Sequence, residues 1–269
     1  MIGLFIIGAV GLGLSARWNW WRPAVTGGMP VLMYHKIGDY PPGSKLKKLW
    51  VTTAVFRQQL EYLRDHGYTA VDFRDWRDAE KGVRPLPEKP VMITFDDGYM
   101  NNYDLAFPLL KEFGMKGCIF LVYETMEKHN GWHDPTMEPW LKMLTWRMVQ
   151  EMQESGIVEF GSHTMRHRNL AELPLDEVKW ELTESKKRLE DKLGREMVGF
   201  AYPYGCGAYK ADVRQAALDA GYRFDFSVKQ GISTLPWGRE KEAVKRLLIR
   251  GDDTLFDFHL NMTRGKARF

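Results

Sequence analysis

VMITFDDGY (residues 91–99) runs an apolar strand straight into two adjacent carboxylates. Val91, Met92 and Ile93 read as a strand buried in a core. Asp96 and Asp97 follow at its end, and Gly98 comes next. Adjacent like charges repel, and burying either one is costly unless something positive answers it. Two readings are open from this stretch alone. Asp-Gly is ordinary turn chemistry, which makes the pair a solvated turn. Alternatively, a cation holds one carboxylate while chemistry uses the other, and the rest of the chain supplies the missing ligands.

Working outward, apolar runs and helical patterns alternate. Upstream, 31–35 reads as a strand. Residues 53–67 read as a helix, with Phe56, Leu60 and Leu63 on one face and a stop at Gly67. Residues 68–73 read as a second strand and 74–82 as a short helix. Downstream, helices are predicted over 102–114, 139–156, 173–194, 209–221 and 253–260. Strands are predicted over 116–123, 158–163, 197–205, 223–228 and 245–250. The helix over 173–194 carries an apolar stripe at Leu175, Val178, Leu182 and Leu189. Residues 124–139 are polar and aromatic with proline, the pattern of a substrate-facing loop. Strand–helix alternation with short turns implies a parallel α/β domain. About eight such units favour a barrel over an open sheet.

The bulk properties set limits. A chain of 269 residues makes one large domain or two small ones. A formal charge of +3 with no long basic run argues against a nucleic-acid partner. The ten tryptophans suit sugar stacking and a large core alike. Cys118 and Cys206 lie far apart and make no metal-type spacing.

The N-terminus differs from the rest. MIGLFIIGAVGLGLSA (1–16) has no charge from Ile2 to Ala16. It falls short of the roughly 20 residues that span a bilayer, and Trp18, Trp20 and Trp21 at the interface would extend it. Glycines at 3, 8, 11 and 13 argue against a soluble amphipathic helix. The expectation is an uncleaved membrane anchor over 1–22, holding a domain over 23–269 outside the cytoplasm. A cleaved signal peptide, giving a secreted protein, and a buried element of the domain are the other readings.

The conspicuous polar residues sit at strand ends: His35, the Asp96–Asp97 pair, His163 and His167 in GSHTMRH, and Pro203-Tyr204-Gly205. In a parallel barrel the C-terminal strand ends meet at one rim, where the active site is built. Two neutral histidines and a carboxylate are a common ligand set for zinc and related divalent ions, leaving positions open for water. The His-x-x-x-His spacing is weak by itself; beside a paired aspartate it favours a metal, which also answers the doubled charge.

TFDDG (94–98), SHTMRH (162–167) and FAYPYG (200–205) together resemble three motifs of the NodB-homology polysaccharide deacetylases, carbohydrate esterase family 4. The resemblance runs from about Val31 to His259. The Tyr34-His35 pair, residues 56–68 and Leu144-Thr145-Trp146 are similar to the branch acting on poly-β-1,6-N-acetylglucosamine. The resemblance implies a distorted (β/α) barrel of seven to eight strands. It assigns Asp97, His163 and His167 to one divalent ion, zinc or a similar metal, and Asp96 to the catalytic base. It gives Tyr204 a backbone N–H for the oxyanion, with Pro203 and Tyr204 at the substrate.

Two departures stand out. Many members have an arginine where this chain has Ala201, so the base must be held in another way. The late Leu-x-His motif is not clear: His259 sits in a helical pattern and reads as structural, while His35 matches the histidine that the poly-N-acetylglucosamine branch takes from its first strand. The implied chemistry is metal-assisted hydrolysis of an N-acetyl group. Asp96 takes a proton from water, Tyr204 steadies the oxyanion, and His35 protonates the leaving nitrogen. The expected partners are an N-acetylated glycan and a membrane. Hydrolysis of an O-acetyl ester or another amide, and glycan binding without catalysis, stay open on the same residues.

Overall fold

The computed structural model describes residues 18–239 and 241–268. Seven parallel strands close a ring: β1 (Val31–Tyr34), β2 (Pro90–Phe95), β3 (Gly117–Leu121), β4 (Val158–Ser162), β5 (Gly199–Ala201), β6 (Phe224–Gln230) and β7 (Val244–Leu248). Neighbours follow chain order. The ring shuts where β7 pairs with β1, Leu247 opposite Leu32 and Leu248 opposite Met33. Around it lie α1 (Thr53–Asp65), α2 (Phe73–Glu80), α3 (Phe107–Phe113), α4 (Trp146–Glu154), α5 (Leu175–Leu193), α6 (Ala211–Asp219) and α7 (Leu255–Arg264).

The strand period decides which side chains enter the ring. Along β2, Val91, Ile93 and Phe95 join the layer between strands and helices. Met92 faces inward with Cys118, Phe120, Ala201, Phe226 and Val244. Thr94 and then Asp96 continue that inward row. One end of the ring is plugged by α2. Its Phe73 lies 5.6 Å from Phe120 and 5.8 Å from Phe226, and Trp76 stacks on Phe224 at 4.4 Å. Each such buried aromatic contributes about 1.5–3 kcal/mol. A Cβ at Gly199 would come within 2.6 Å of the Phe73 ring, so a side chain there would displace the plug. The opposite end, where the strands finish, is left to polar residues.

Two expectations are corrected locally. Within 68–73 only Thr69–Ala70 is a strand; it pairs with Pro90–Val91 outside the ring, which reduces the barrel to seven strands. Residues 139–145 are not helical. The Thr145 side chain accepts from Met148 N and starts α4 at Trp146. Ahead of it the chain pairs backward, with Met143 N donating to Lys128 O and Glu127 N to Leu144 O. Between β6 and β7, Ser233–Thr234 pairs antiparallel with Gly28–Met29.

The apolar stretch read as a membrane anchor lies outside the described residues up to residue 17. Among the described residues, no helix is long and apolar enough to cross a membrane. Trp18 packs on the domain: its indole N–H donates to Asp257 at 2.7 Å and its ring meets Phe256 edge-on at 5.7 Å. Trp20 and Trp21 are exposed.

Candidate active site

Asp97 leaves β2 in a left-handed turn, φ 77°. His163 directly follows β4, and His167 (φ 60°) closes the next turn. All three are buried, and one donor atom from each lies within 4.8 Å of the others. Asp97 Oδ1 is 3.1 Å from His167 Nε2 and 3.4 Å from His163 Nε2. His163 Nδ1 faces the Ala201 carbonyl at 2.7 Å. As the donor to that carbonyl, it leaves Nε2 to face Asp97 or to offer a lone pair to an ion. A buried carboxylate facing two such nitrogens fits a divalent cation. Burial alone would raise the Asp97 carboxyl, but the two imidazoles outweigh it and hold the group well below the usual carboxylate range.

The loop between the histidines is fixed from behind. Thr164 Oγ1 accepts the His167 N–H at 3.0 Å. The buried Glu181 carboxylate on α5 accepts the Met165 and Arg166 N–H groups at 2.9 and 3.1 Å. Non-glycine residues with positive φ among the described residues are Asp97, Glu127, Thr164, His167 and Tyr204. All but Glu127 belong to this rim, so backbone strain is concentrated at the site.

Asp96 is held from across the ring. Arg246 on β7 donates to both its oxygens, at 2.6 and 2.8 Å. Arg246 also donates from Nε to Ser227 O at 2.9 Å and lies over the Phe120 ring. Both partners are buried. Burial would raise the Asp96 carboxyl, but the guanidinium charge outweighs that and keeps it below its ordinary value, ionised at neutral pH. Ala201, at the position where the resemblance leads one to expect an arginine, faces the interior without a charge to offer. The cation comes from the last strand instead. In the sequence, Lys245 and Arg246 look alike. Only the β7 register turns Arg246 inward, level with the row of Asp96, while Leu247 faces the helices.

His35 follows β1 and lies near both carboxylates. Burial lowers its pKa, and Asp96 and Asp97 oppose that shift. Its Nδ1 has no hydrogen-bond partner among the described residues, and its carbonyl accepts from Asn102 Nδ2 at 3.0 Å. Pro203 and Tyr204 start the short turn after β5. Pro203 is buried, and Tyr204 is half exposed with its ring centroid 4.6 Å from that of His167, the planes 70° apart. His259 is elsewhere: it sits on α7 in the outer layer, with Nδ1 2.8 Å from the Tyr62 hydroxyl of α1. A cleft of about 620 Å³ opens beside His167, lined by Trp132, Tyr204, Lys128, Arg166 and Glu172. Trp132, from the long loop after β3, stacks on His167 at 4.2 Å. Nothing in the sequence marked it out from the other nine tryptophans.

This geometry puts three residues that could hold a metal ion, a clamped carboxylate, a histidine and an open cleft on one rim. Residues 83–224, more than half the chain, match the polysaccharide deacetylase family. YxkH of Bacillus subtilis is 30% identical over 211 residues, covering 78% of this chain and 68% of that protein. The poly-β-1,6-N-acetyl-D-glucosamine N-deacetylase of Escherichia coli is 31% identical over 153 residues, which cover 53% of this chain but 21% of that much longer enzyme. A solved polysaccharide deacetylase from Bacillus cereus superposes with a TM-score of 0.73 at 29% identity, covering 87% of this chain and 69% of that one. The chain belongs to the polysaccharide deacetylase family, hydrolases acting on carbon–nitrogen bonds other than peptide bonds.

Proposed function

We propose that this protein hydrolyses N-acetyl groups of an N-acetylated polysaccharide, releasing acetate and leaving a free amine on the sugar. The observation that carries this reading is the side-by-side placement of Asp97–His163–His167 and the Asp96–Arg246 pair. One carboxylate faces the two imidazoles and the other is set aside for proton transfer. That arrangement answers why the strand ends in two aspartates.

Asp97, His163 and His167 would hold one divalent ion, zinc or a similar first-row metal. When bound, such an ion supplies Lewis-acid polarisation to the acetamide carbonyl and the attacking water. Asp96 takes the proton as the water oxygen bonds to the carbonyl carbon. The two bonds from Arg246 fix the carboxylate plane, leaving a lone pair on its open side for that proton. The Tyr204 N–H steadies the developing oxyanion. His35, protonated, gives its proton to the sugar nitrogen as the C–N bond breaks. Burial lowers its pKa against the pull of Asp96 and Asp97, so fewer His35 side chains carry the proton, and those that do give it up more readily.

The similarity to the E. coli enzyme supports poly-β-1,6-N-acetylglucosamine or a related exported glycan as substrate. The charge-free stretch from Ile2 to Ala16 supports a membrane-attached protein acting outside the cytoplasm. Acetate release is the test, from N-acetylated and O-acetylated glycans, with zinc-loaded wild type beside Asp96→Asn. Release from the N-acetylated polymer by wild type alone is expected. Release only from the ester polymer, or equal release by both proteins, would overturn the reading.

A further inference from the structure

The two imidazoles of the metal set are oriented by different means. His163 is fixed through its far nitrogen, which faces the Ala201 carbonyl at 2.7 Å. That is the usual device: a hydrogen bond on one nitrogen sets tautomer and ring angle for the other. His167 lacks it. Its Nδ1 is buried and has no hydrogen-bond partner among the described residues. Its ring is gripped on the carbon framework instead. Trp132 stacks on one side, centroids 4.2 Å apart and planes 24° apart, while Tyr204 meets it edge-on at 4.6 Å and 70°. An imidazole has a soft, roughly two-fold torsion about its last side-chain bond. A planar partner on its face resists that rotation, because turning the ring breaks the stack.

The loop bearing Trp132 is built to hold this position. Its neck pairs antiparallel, with His129 opposite Lys142 and Asn130 N donating to Leu141 O at 3.1 Å. Beyond the neck, the buried Glu138 ties the loop to the segment after β1. It accepts from Ser44 Oγ at 2.8 Å and from the Lys45 and Leu46 N–H groups at 2.8 and 3.2 Å. The Lys36 ammonium lies 3.5 Å from the same carboxylate. Tyr99, two residues past Asp97, comes within 6.2 Å of the Trp132 ring from below. A cover that only shields a cleft needs no buried carboxylate anchoring it to another strand's exit.

We propose that Trp132 is a positioning residue for the His167 imidazole, with Tyr204 as its counterpart, so that the loop after β3 forms part of the metal centre. This rests on the metal reading above. Trp132 donates nothing to the ion; it acts by limiting the ring angles His167 can take.

The test uses the full chain and its Trp132→Phe and Trp132→Leu variants. Phenylalanine keeps a planar face, and leucine fills space without one. Zinc affinity is measured by competition with a chromophoric chelator, the visible ligand-field spectrum is recorded with cobalt(II), and apo-protein unfolding is followed in parallel. Trp132→Leu should bind zinc about 10- to 100-fold more weakly, the range for loss of a residue that orients a metal ligand. Its cobalt spectrum should change in shape, and its apo midpoint should match that of Trp132→Phe. Trp132→Phe should stay within about three-fold of wild type. Equal zinc affinities and cobalt spectra for the two variants would overturn the proposal, as would a loss of affinity that merely tracks a loss of apo stability. Wild type that takes up no stoichiometric zinc would instead defeat the metal reading beneath it.

Discussion

Arg246 and Asp96 meet inside the barrel as a doubly hydrogen-bonded ion pair, joining the last barrel strand to the second. Arg246→Lys keeps the charge but not the planar fork. We expect turnover to fall about 10- to 100-fold with metal content unchanged. The pH profile should move as well. The guanidinium holds the Asp96 carboxyl below its ordinary value against burial. A weaker partner lets that pKa rise, so the acidic limb of kcat/KM should shift to higher pH. A limb that stays in place would show that Asp96 is not the group titrating there.

Asp96→Asn should keep the metal and lose about 100- to 10,000-fold in kcat, the usual range for a general base. The carboxamide nearly matches the carboxylate in shape but cannot take the proton. Turnover within a few-fold of wild type would mean that another group activates the water.

Asp97→Asn and His163→Ala should each lower bound zinc, read by elemental analysis after gel filtration. Each removes one donor from the set within 4.8 Å. Full metal content in both would place the ion elsewhere.

His35 and His259 separate by leaving group. His35→Ala should cripple amide hydrolysis and spare an activated aryl acetate, whose leaving group departs without a proton. His259→Ala removes a partner of Tyr62 between α7 and α1 and should lower stability rather than rate. A selective amide defect in His259→Ala, absent from His35→Ala, would reverse the assignment.

Asp253, in the loop after β7, gives a stability prediction. Burial raises its carboxyl to about 6. The unfolded value is about 3.9, so the folded state binds the proton more tightly. Its contribution to stability is therefore full below about pH 4 and is lost as pH rises through about 6. Asp253→Asn keeps an acceptor for the Arg250 N–H, 2.9 Å away, and removes the charge. It should stabilise the protein by on the order of 1–2 kcal/mol at pH 8, with no gain near pH 4. Denaturant unfolding at the two pH values checks this; an equal change at both would rule out the charge as the cause.

Much of this architecture was legible along the chain, because each strand of the ring is a short apolar run followed by a polar signal at its exit. Asp96, Asp97, His163 and His167 stand out for that reason: each lies where hydrophobic periodicity stops. Arg246 could not be found the same way. It lies inside a strand, and facing inward depends on a register that neighbouring strands set. Trp132 was hidden for a different reason, since its position follows from a loop anchored at Glu138 through tertiary contacts alone. The predicted helix over 139–156 began too early because Trp140, Leu141, Met143 and Leu144 suit a helical face; backward pairing with 127–130 won over that propensity.

The seam of the ring runs between the first and last barrel strands, and the groups proposed to handle protons straddle it. His35 leaves β1, and Arg246 is carried by β7. During synthesis Asp96 is made 150 residues before its guanidinium. Until the seventh strand emerges and docks, that carboxylate lacks its guanidinium partner and is better left in water. Turnover is thus a gauge of whether the ring has shut. A nick or truncation beyond β6 would take away the guanidinium that holds Asp96, although Asp97, His163 and His167 are all borne by earlier strand ends.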